Sequence, residues 1–379
     1  MTISAKAVIS VSTIKIMNKL TDANLIFKAG TKAIESSKWK YKSQEYEINQ
    51  LLQTALIQEE IESKSYKADK GNSFVIDERG KTRNVTSIPP KDKAVNHLLC
   101  DEILNPVLDP FLIHDNGASR EGKGVSFHRR RFEQHLREYY RKYGNEGYIL
   151  LGDFKSYYAS IESKRAHKMA MDYLRKSNKL TADEIDGAGY LLHQALGDEL
   201  GINIGGQPSQ NIGILYATYI DQYVKTVKGF RGYARYSDDF YCLHPDKEVL
   251  KELQKEIEAK AREIGLTVHP NKTHLAKLDR PFTHLQIRYK MTESGKVVKR
   301  INPKTVTRER RKLKAYKRLL ESGRISEFDI ENNFKSWMYQ NYKVMSRLQI
   351  QNIYSLYIEL YGKEIAWKKS KLRYLTAQC

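Results

Sequence analysis

Two apolar runs that each meet carboxylates constrain this chain more than any other feature. Tyr148-Ile-Leu-Leu is too short for a helix and is bounded by glycines, so it reads as a buried strand that ends at Asp153. Phe230 to Tyr236 and Phe240 to His244 flank Ser237-Asp238-Asp239, the pattern of two short strands joined by a tight turn, 85 residues beyond Asp153. Adjacent carboxylates on such a turn repel each other unless a cation is near. If the strands are neighbours in one sheet, three carboxylates converge on one point. That arrangement suits the hard cations Mg²⁺ or Mn²⁺, which combine one or two carboxylates with substrate phosphates. Two such ions about 3.5–4 Å apart can activate a 3′-hydroxyl and stabilise a leaving pyrophosphate. Taken singly, a solvated Asp238-Asp239 turn and an Asp153 helix cap are the commoner meanings.

Composition narrows the partners. The 379 residues carry 65 Lys+Arg against 45 Asp+Glu, a formal charge of +20, which favours a polyanion such as nucleic acid. No apolar run approaches the roughly 18–20 residues that span a bilayer, and the N-terminus lacks a signal-peptide pattern, so a cytoplasmic protein without membrane contact is expected. Cys100, Cys242 and Cys379 form no CxxC pair, which argues against a disulfide framework or a structural zinc.

Along the chain, residues 1 to about 65 look helical, with Leu51, Leu52, Ala55 and Ile57 as apolar positions. Ser73 to Ile88 reads as a hairpin turning at Asp77-Glu-Arg-Gly80. Phe127 to Tyr143 is an amphipathic helix with Phe132, Leu136, Tyr139 or Tyr140, and Tyr143 at helical spacing and Arg129, Arg130, Arg137 and Arg141 around them. A helical stretch is expected from about Ser163 to Leu200. Another opens at Pro208-Ser209, with Ile212, Leu215, Tyr219, Tyr223 and Val227 on one buried face. Asp246 to Ile264 is a Lys/Glu helix ended by Gly265, followed by short strands at Leu266 to His269 and Phe282 to Tyr289. Helices return beyond Pro303. The last 80 residues hold 18 Lys+Arg and 7 Asp+Glu, more than half of the excess charge.

Tyr236-Ser-Asp-Asp239 resembles the YxDD box of reverse transcriptases, and Asp153-Phe-Lys-Ser-Tyr-Tyr158 resembles their first palm motif. Gly205-Gly-Gln-Pro-Ser-Gln210 is similar to the template-binding segment, Gly265 to Lys272-Thr to the segment after the palm helix, and Phe282-Thr-His-Leu-Gln-Ile to the primer-grip hairpin. Gly80-Lys-Thr-Arg83 and Ser119-Arg120-Glu-Gly-Lys-Gly124 look like the two finger motifs. All seven segments occur in the family's order, between about residues 73 and 300.

The resemblance implies an α/β right-hand polymerase, with an antiparallel-sheet palm, fingers and a helical thumb, copying an RNA template into cDNA. It implies a helical extension over 1–72, fingers over 73–147, a palm with interleaved finger helices over 148–300 and a basic thumb over 301–379. Asp153 and Asp238 would hold Mg²⁺ (or Mn²⁺), with Asp239 and the Phe154 carbonyl assisting. Lys81, Arg83 and Arg120 would grip the dNTP triphosphate, Tyr158 would exclude a 2′-hydroxyl, and Lys272 would protonate or neutralise pyrophosphate. Gln210 would contact the nucleotide, and Ile204, Gly205 and Ser209 the template. Tyr158 as core packing, and Lys81 and Lys272 as solvated charges, remain open alternatives.

Ile204 together with Ser209-Gln210 resembles diversity-generating retroelement enzymes, and Ser-Gln also occurs among phage-defence reverse transcriptases that copy a dedicated non-coding RNA. A palm reduced to an RNA-binding scaffold is the alternative of another class. Eight cations lie between Lys304 and Arg318, among them Arg308, Arg311 and Lys314, a self-repelling face that suits the phosphates of a template–primer hybrid. Trp337, Tyr339, Tyr342, Tyr354, Tyr357 and Tyr361 could stack on bases, but their spacing suits a thumb core better. An accessory protein or self-assembly is left open.

Overall fold

The computed structural model describes residues 18–69, 71–78, 81–368 and 372, and of residues 77, 78, 81, 83 and 84 the backbone alone. Its strands are β1 (Asn72–Glu78), β2 (Lys81–Ser87), β3 (Tyr148–Asp153), β4 (Tyr233–Tyr236), β5 (Asp239–His244), β6 (His274–Lys277), β7 (Phe282–His284), β8 (Ile287–Met291) and β9 (Val297–Ile301). The main sheet has the order β4-β5-β3-β6, antiparallel throughout. β1 and β2 form the expected hairpin, and β7-β8-β9 form a separate antiparallel sheet.

β3 is apolar along its length because it is covered on both faces. Side chains alternate across a strand. Ile149 and Leu151 enter a core with Phe132, Leu136 and Tyr139 of the Val125–Tyr143 helix, while Leu150 enters the larger core on the other side. Each such side chain contributes roughly 1.5–3 kcal/mol by burial. β5 follows the same rule, with Tyr241 and Leu243 on the first face and Phe240 and Cys242 on the second. The Lys247–Glu263 helix begins at Asp246, whose carboxylate accepts the Glu248 N–H, and stops before Gly265 at φ +75°.

Several expectations are corrected. The single helical stretch from Ser163 is two helices, Ser163–Lys176 and Ala182–Leu196, because Asn178 turns left-handed and Thr181 with Glu184 opens the second through a capping box. The helix from Gln207 does not run straight on to Val227. It is interrupted at Ala217 and resumes over Thr218–Gln222 before a π turn at Tyr223–Val227. The buried positions therefore become Ile212, Leu215, Ile220 and Val224, while Tyr219 and Val227 are exposed. In the Gln50–Glu62 helix Leu51 and Leu52 are exposed, and Ile57 and Ile61 supply the packing. Leu266 to His269 makes one isolated bridge, Val268 to Phe154; the strand beside β3 is β6. Phe282 to Tyr289 is a hairpin that turns at Leu285 and Gln286, both with positive φ.

The Pro303–Glu321, Glu327–Asn341 and Arg347–Tyr361 helices close around a third core. Tyr342, Tyr354 and Tyr357 are buried there, with Trp337, Tyr339 and Tyr361 packed against them, so these rings are core. Among the described residues no helix is long and apolar enough to cross a membrane.

Candidate active site

The strand register brings the acids together. Asp153 is the direct partner of Asp239 across β3 and β5, and the Phe154 N–H donates to the Asp238 carbonyl at 3.1 Å. Side-chain alternation places Asp153 on the face of Leu151, and Asp239 on the face of Tyr241, the same side of the sheet. Residues directly opposite in an antiparallel pair have Cβ atoms about 4.5–5.5 Å apart, and like charges there are destabilising. A cation at this rim relieves that repulsion.

Lys272 supplies one positive charge. Its Nζ lies 2.6 Å from Oδ2 of Asp153, whose side chain is only 9% exposed. The second oxygen, Oδ1, is buried and has no hydrogen-bond partner among the described residues. A buried carboxylate oxygen without a partner is costly in water-free surroundings and is a fitting ligand for a hard cation. Asp153 Oδ1 thus offers an oxygen that a divalent ion could take, with Asp239 opposite it on β5. Among the described residues no three His, Cys, Asp or Glu side chains form a metal cage by themselves.

The turn is held from below by a pair that sequence reasoning missed. Arg235 and Asp221 are fully buried, with Nη2 of Arg235 2.6 Å from Oδ2 of Asp221. Arg235 Nη1 donates to the Ser237 carbonyl at 2.9 Å and Nη2 to the Ile214 carbonyl at 2.7 Å. The Tyr233 hydroxyl donates to Asp221 as well. Ser237 has φ +56°, a costly conformation for a residue with a Cβ, and the Arg235 fork fixes the carbonyl that this conformation presents. The signal was available: Arg235 sits in an apolar strand and Asp221 in an apolar helix, and buried charges come in pairs.

Glycine makes room at the same rim. A Cβ on Gly152 would lie 2.1 Å from the Phe240 ring. One on Gly213 would lie 2.9 Å from the Tyr158 ring, so Tyr158 rests directly on the Gln207–Tyr216 helix. Burial raises the pKa of the Tyr158 phenol, a hydrogen bond with the Ser237 side chain opposes the shift, and the Asp238 charge adds to it. Tyr158 therefore stands between the turn and the segment that resembles a template-binding motif.

The sequence profile of the family described as "Reverse transcriptase (RNA-dependent DNA polymerase)" matches residues 67–289, more than half of the chain. The chain belongs to the reverse transcriptase family. The fold of this reverse transcriptase is accordingly the mixed helix and antiparallel-sheet palm type. Similar solved structures include apo telomerase from Candida tropicalis truncated from its C-terminal domain, at 14% identity and TM-score 0.46, covering 60% of this chain and 54% of that one. Another is telomerase from Candida albicans in complex with a TWJ fragment of telomeric RNA, at 12% identity and TM-score 0.45, covering 81% and 61%. The chain thus spans less than two thirds of the length of these telomerase chains. No curated protein matches it.

The other expected site residues of this reverse transcriptase lie on several elements. Gln210 accepts a hydrogen bond from Ser119 at 3.3 Å, joining the finger-like loop to the Gln207–Tyr216 helix. Ser209 is buried, Ile204 is exposed, and a Cβ on Gly205 would lie 3.0 Å from the Thr86 carbonyl of β2. Lys81 and Arg83 fall on β2, and their side chains lie outside the described residues. Arg120 lies in the loop before the Val125–Tyr143 helix. Its fork clasps the Asp109 carboxylate, and Nη1 also donates to the Ile113 and Asn116 carbonyls at 2.9 and 3.1 Å. These bonds tie the guanidinium to the fold of its loop. Arg308, Arg311 and Lys314 are exposed on the Pro303–Glu321 helix.

Two cavities are lined by residues other than the three acids. One, of about 1030 Å³, is bounded by Lys32, Asp101, Arg120 and Gln210. Another, of about 1040 Å³, lies between the Val125–Tyr143 and Lys247–Glu263 helices.

Proposed function

We propose that this protein is an RNA-directed DNA polymerase that extends a DNA primer 3′ end with dNTPs on an RNA template. The observation that carries the reading is the pairing of Asp153 with Asp239 beside the Asp238 turn, inside the segment that matches the family. Asp153 and Asp238 would hold Mg²⁺, with Asp239 and the Phe154 carbonyl assisting. The ions supply activation of the 3′-hydroxyl and charge neutralisation on the departing pyrophosphate. Lys272, already at Asp153, carries an ammonium that can turn to that pyrophosphate and donate a proton. The Tyr158 ring, held against Gly213, fills the space a ribose 2′-hydroxyl needs. The exposed cations of the Pro303–Glu321 helix track the hybrid's phosphates as a thumb over 301–379, with fingers over 73–147 and palm over 148–300.

For the biological subtype, Ile204 with Ser209-Gln210 supports a diversity-generating type, and a phage-defence enzyme that copies its own non-coding RNA is the second reading. The exposure of Ile204 favours the first, because an apolar side chain there offers no hydrogen bond to a nascent pair. The decisive experiment is RNA-templated dNTP incorporation by wild type and Asp238→Ala. Loss of incorporation with RNA binding retained is expected; a wild type that adds nothing on any RNA, including RNA purified with it, overturns the reading. Sequencing that RNA separates the subtypes, since a template repeat matching a nearby gene means diversification.

A further inference from the structure

A buried pair of histidines joins two parts of the molecule that the site description left separate. His128, in the first turn of the Val125–Tyr143 helix, places Nε2 2.9 Å from Nε2 of His284 at the end of β7. His128 is 0% exposed and His284 5%. On one side the His128 ring meets the edge of Tyr236, the residue that opens the catalytic turn, at 5.5 Å between centroids. On the other, His284 pairs with Ile287 to close the Leu285-Gln286 hairpin tip, and Arg129 Nη2 holds the Leu285 carbonyl at 3.1 Å. Phe132 and Tyr241 pack against the His284 ring.

Two nitrogens at this distance share one proton, so one ring donates and the other accepts. Burial holds both imidazoles neutral, His128 down at about 4 and His284 well below the ordinary histidine value. The second nitrogen of His128, Nδ1, is buried without a partner among the described residues. A bare lone pair is cheaper to leave there than an N–H. His128 therefore carries its proton on Nε2 and donates, and His284 accepts on Nε2.

We propose that His128 and His284 are positioning residues: their hydrogen bond ties the Leu285-Gln286 hairpin to the Tyr236 to Asp239 turn, and so holds that turn where nucleotide addition needs it. The proposal rests on the polymerase reading above. It assigns the pair no contact with substrate. The fitted element is a tether of fixed length, whose directional bond a pair of apolar rings of similar shape cannot replace.

The test is a double-mutant cycle on the full chain with an annealed RNA template and DNA primer. His128→Phe and His284→Phe are each expected to lower the single-turnover rate of nucleotide addition about tenfold. Template–primer affinity and the KM for dNTP should stay within about twofold. The double variant should be no slower than either single one, because both remove one bond. His128→Gln, which keeps a donor at a similar reach, should recover most of the rate. Nitrogen NMR of the wild type should show His128 protonated at Nε2 alone. Additive losses in the cycle, or a loss confined to template–primer affinity, overturn the proposal, as does a doubly protonated pair. If a variant fails to fold, the Gln variant and the NMR tautomer decide. A wild type that adds no nucleotide at all refutes instead the polymerase reading, and the tautomer measurement still judges the pair.

Discussion

Lys272 Nζ sits 2.6 Å from Oδ2 of Asp153, so the acid at the end of the central strand is neutralised by a lysine that is itself 43% exposed. Removing that lysine takes away the ammonium that Asp153 holds where it faces Asp239. Lys272→Met is expected to destabilise the protein in EDTA by about 1–2 kcal/mol, a charge-assisted bond discounted for exposure. Mg²⁺ should restore more of the loss in the variant than it adds to the wild type. Urea unfolding with and without Mg²⁺ checks this, and equal Mg²⁺ effects would count against a cation site on these acids.

The Arg235–Asp221 pair is buried at both ends, so cutting one end leaves a stranded charge. Asp221→Ala is expected to cost about 3–5 kcal/mol. Arg235→Lys keeps the charge but loses the fork that reaches both Asp221 and the Ser237 carbonyl. It should fold, with a smaller loss of stability and at least a tenfold loss of nucleotide addition. Denaturant melts beside single-turnover rates measure both, and an unimpaired rate in Arg235→Lys would show that the turn holds itself.

His128 gives a pH dependence whose sign follows from its depressed value. The unfolded chain takes up a proton near pH 6.5, while the folded protein resists until about pH 4. Stability is therefore intact above pH 6.5 and falls through the window between those values, by up to about 3 kcal/mol from this group. His128→Gln should flatten the stability profile between pH 6.5 and 4. Parallel profiles of the two proteins would contradict the assignment.

Exposed Arg308, Arg311 and Lys314 should act through phosphates and not through bases. Replacing all three with Gln is expected to weaken RNA–DNA hybrid binding equally across sequences. It should also reduce the slope of log affinity against log salt by about 2–3. Fluorescence anisotropy across a salt series reads the slope, and sequence-selective losses would argue for base contacts.

Legibility in the sequence followed the range of the interactions. β3, the Tyr236 turn and the Val125–Tyr143 helix are written in local patterns of apolar spacing and glycine, and those patterns hold in the structure. The face predicted from Ile212 to Val227 failed from Tyr219 onward, since the interruption at Ala217 shifts the phase of everything after it. A single-residue irregularity carries no compositional mark. Arg120 is the opposite case: its motif was visible, but its partner Asp109, 11 residues upstream in another element, was not. The His128–His284 bond, at a separation of 156 residues, has no signal in the sequence beyond two histidines in apolar surroundings.

The C-terminal helices close around Phe334, Met338 and Tyr357, a core that shares no buried side chain with the two cores that flank the main sheet. Cohesion there and alignment of the acids are thus separate properties. A molecule whose C-terminal unit has loosened would still keep Asp153 opposite Asp239. The stability of the one and the geometry of the other can then be altered by substitutions in different parts of one chain.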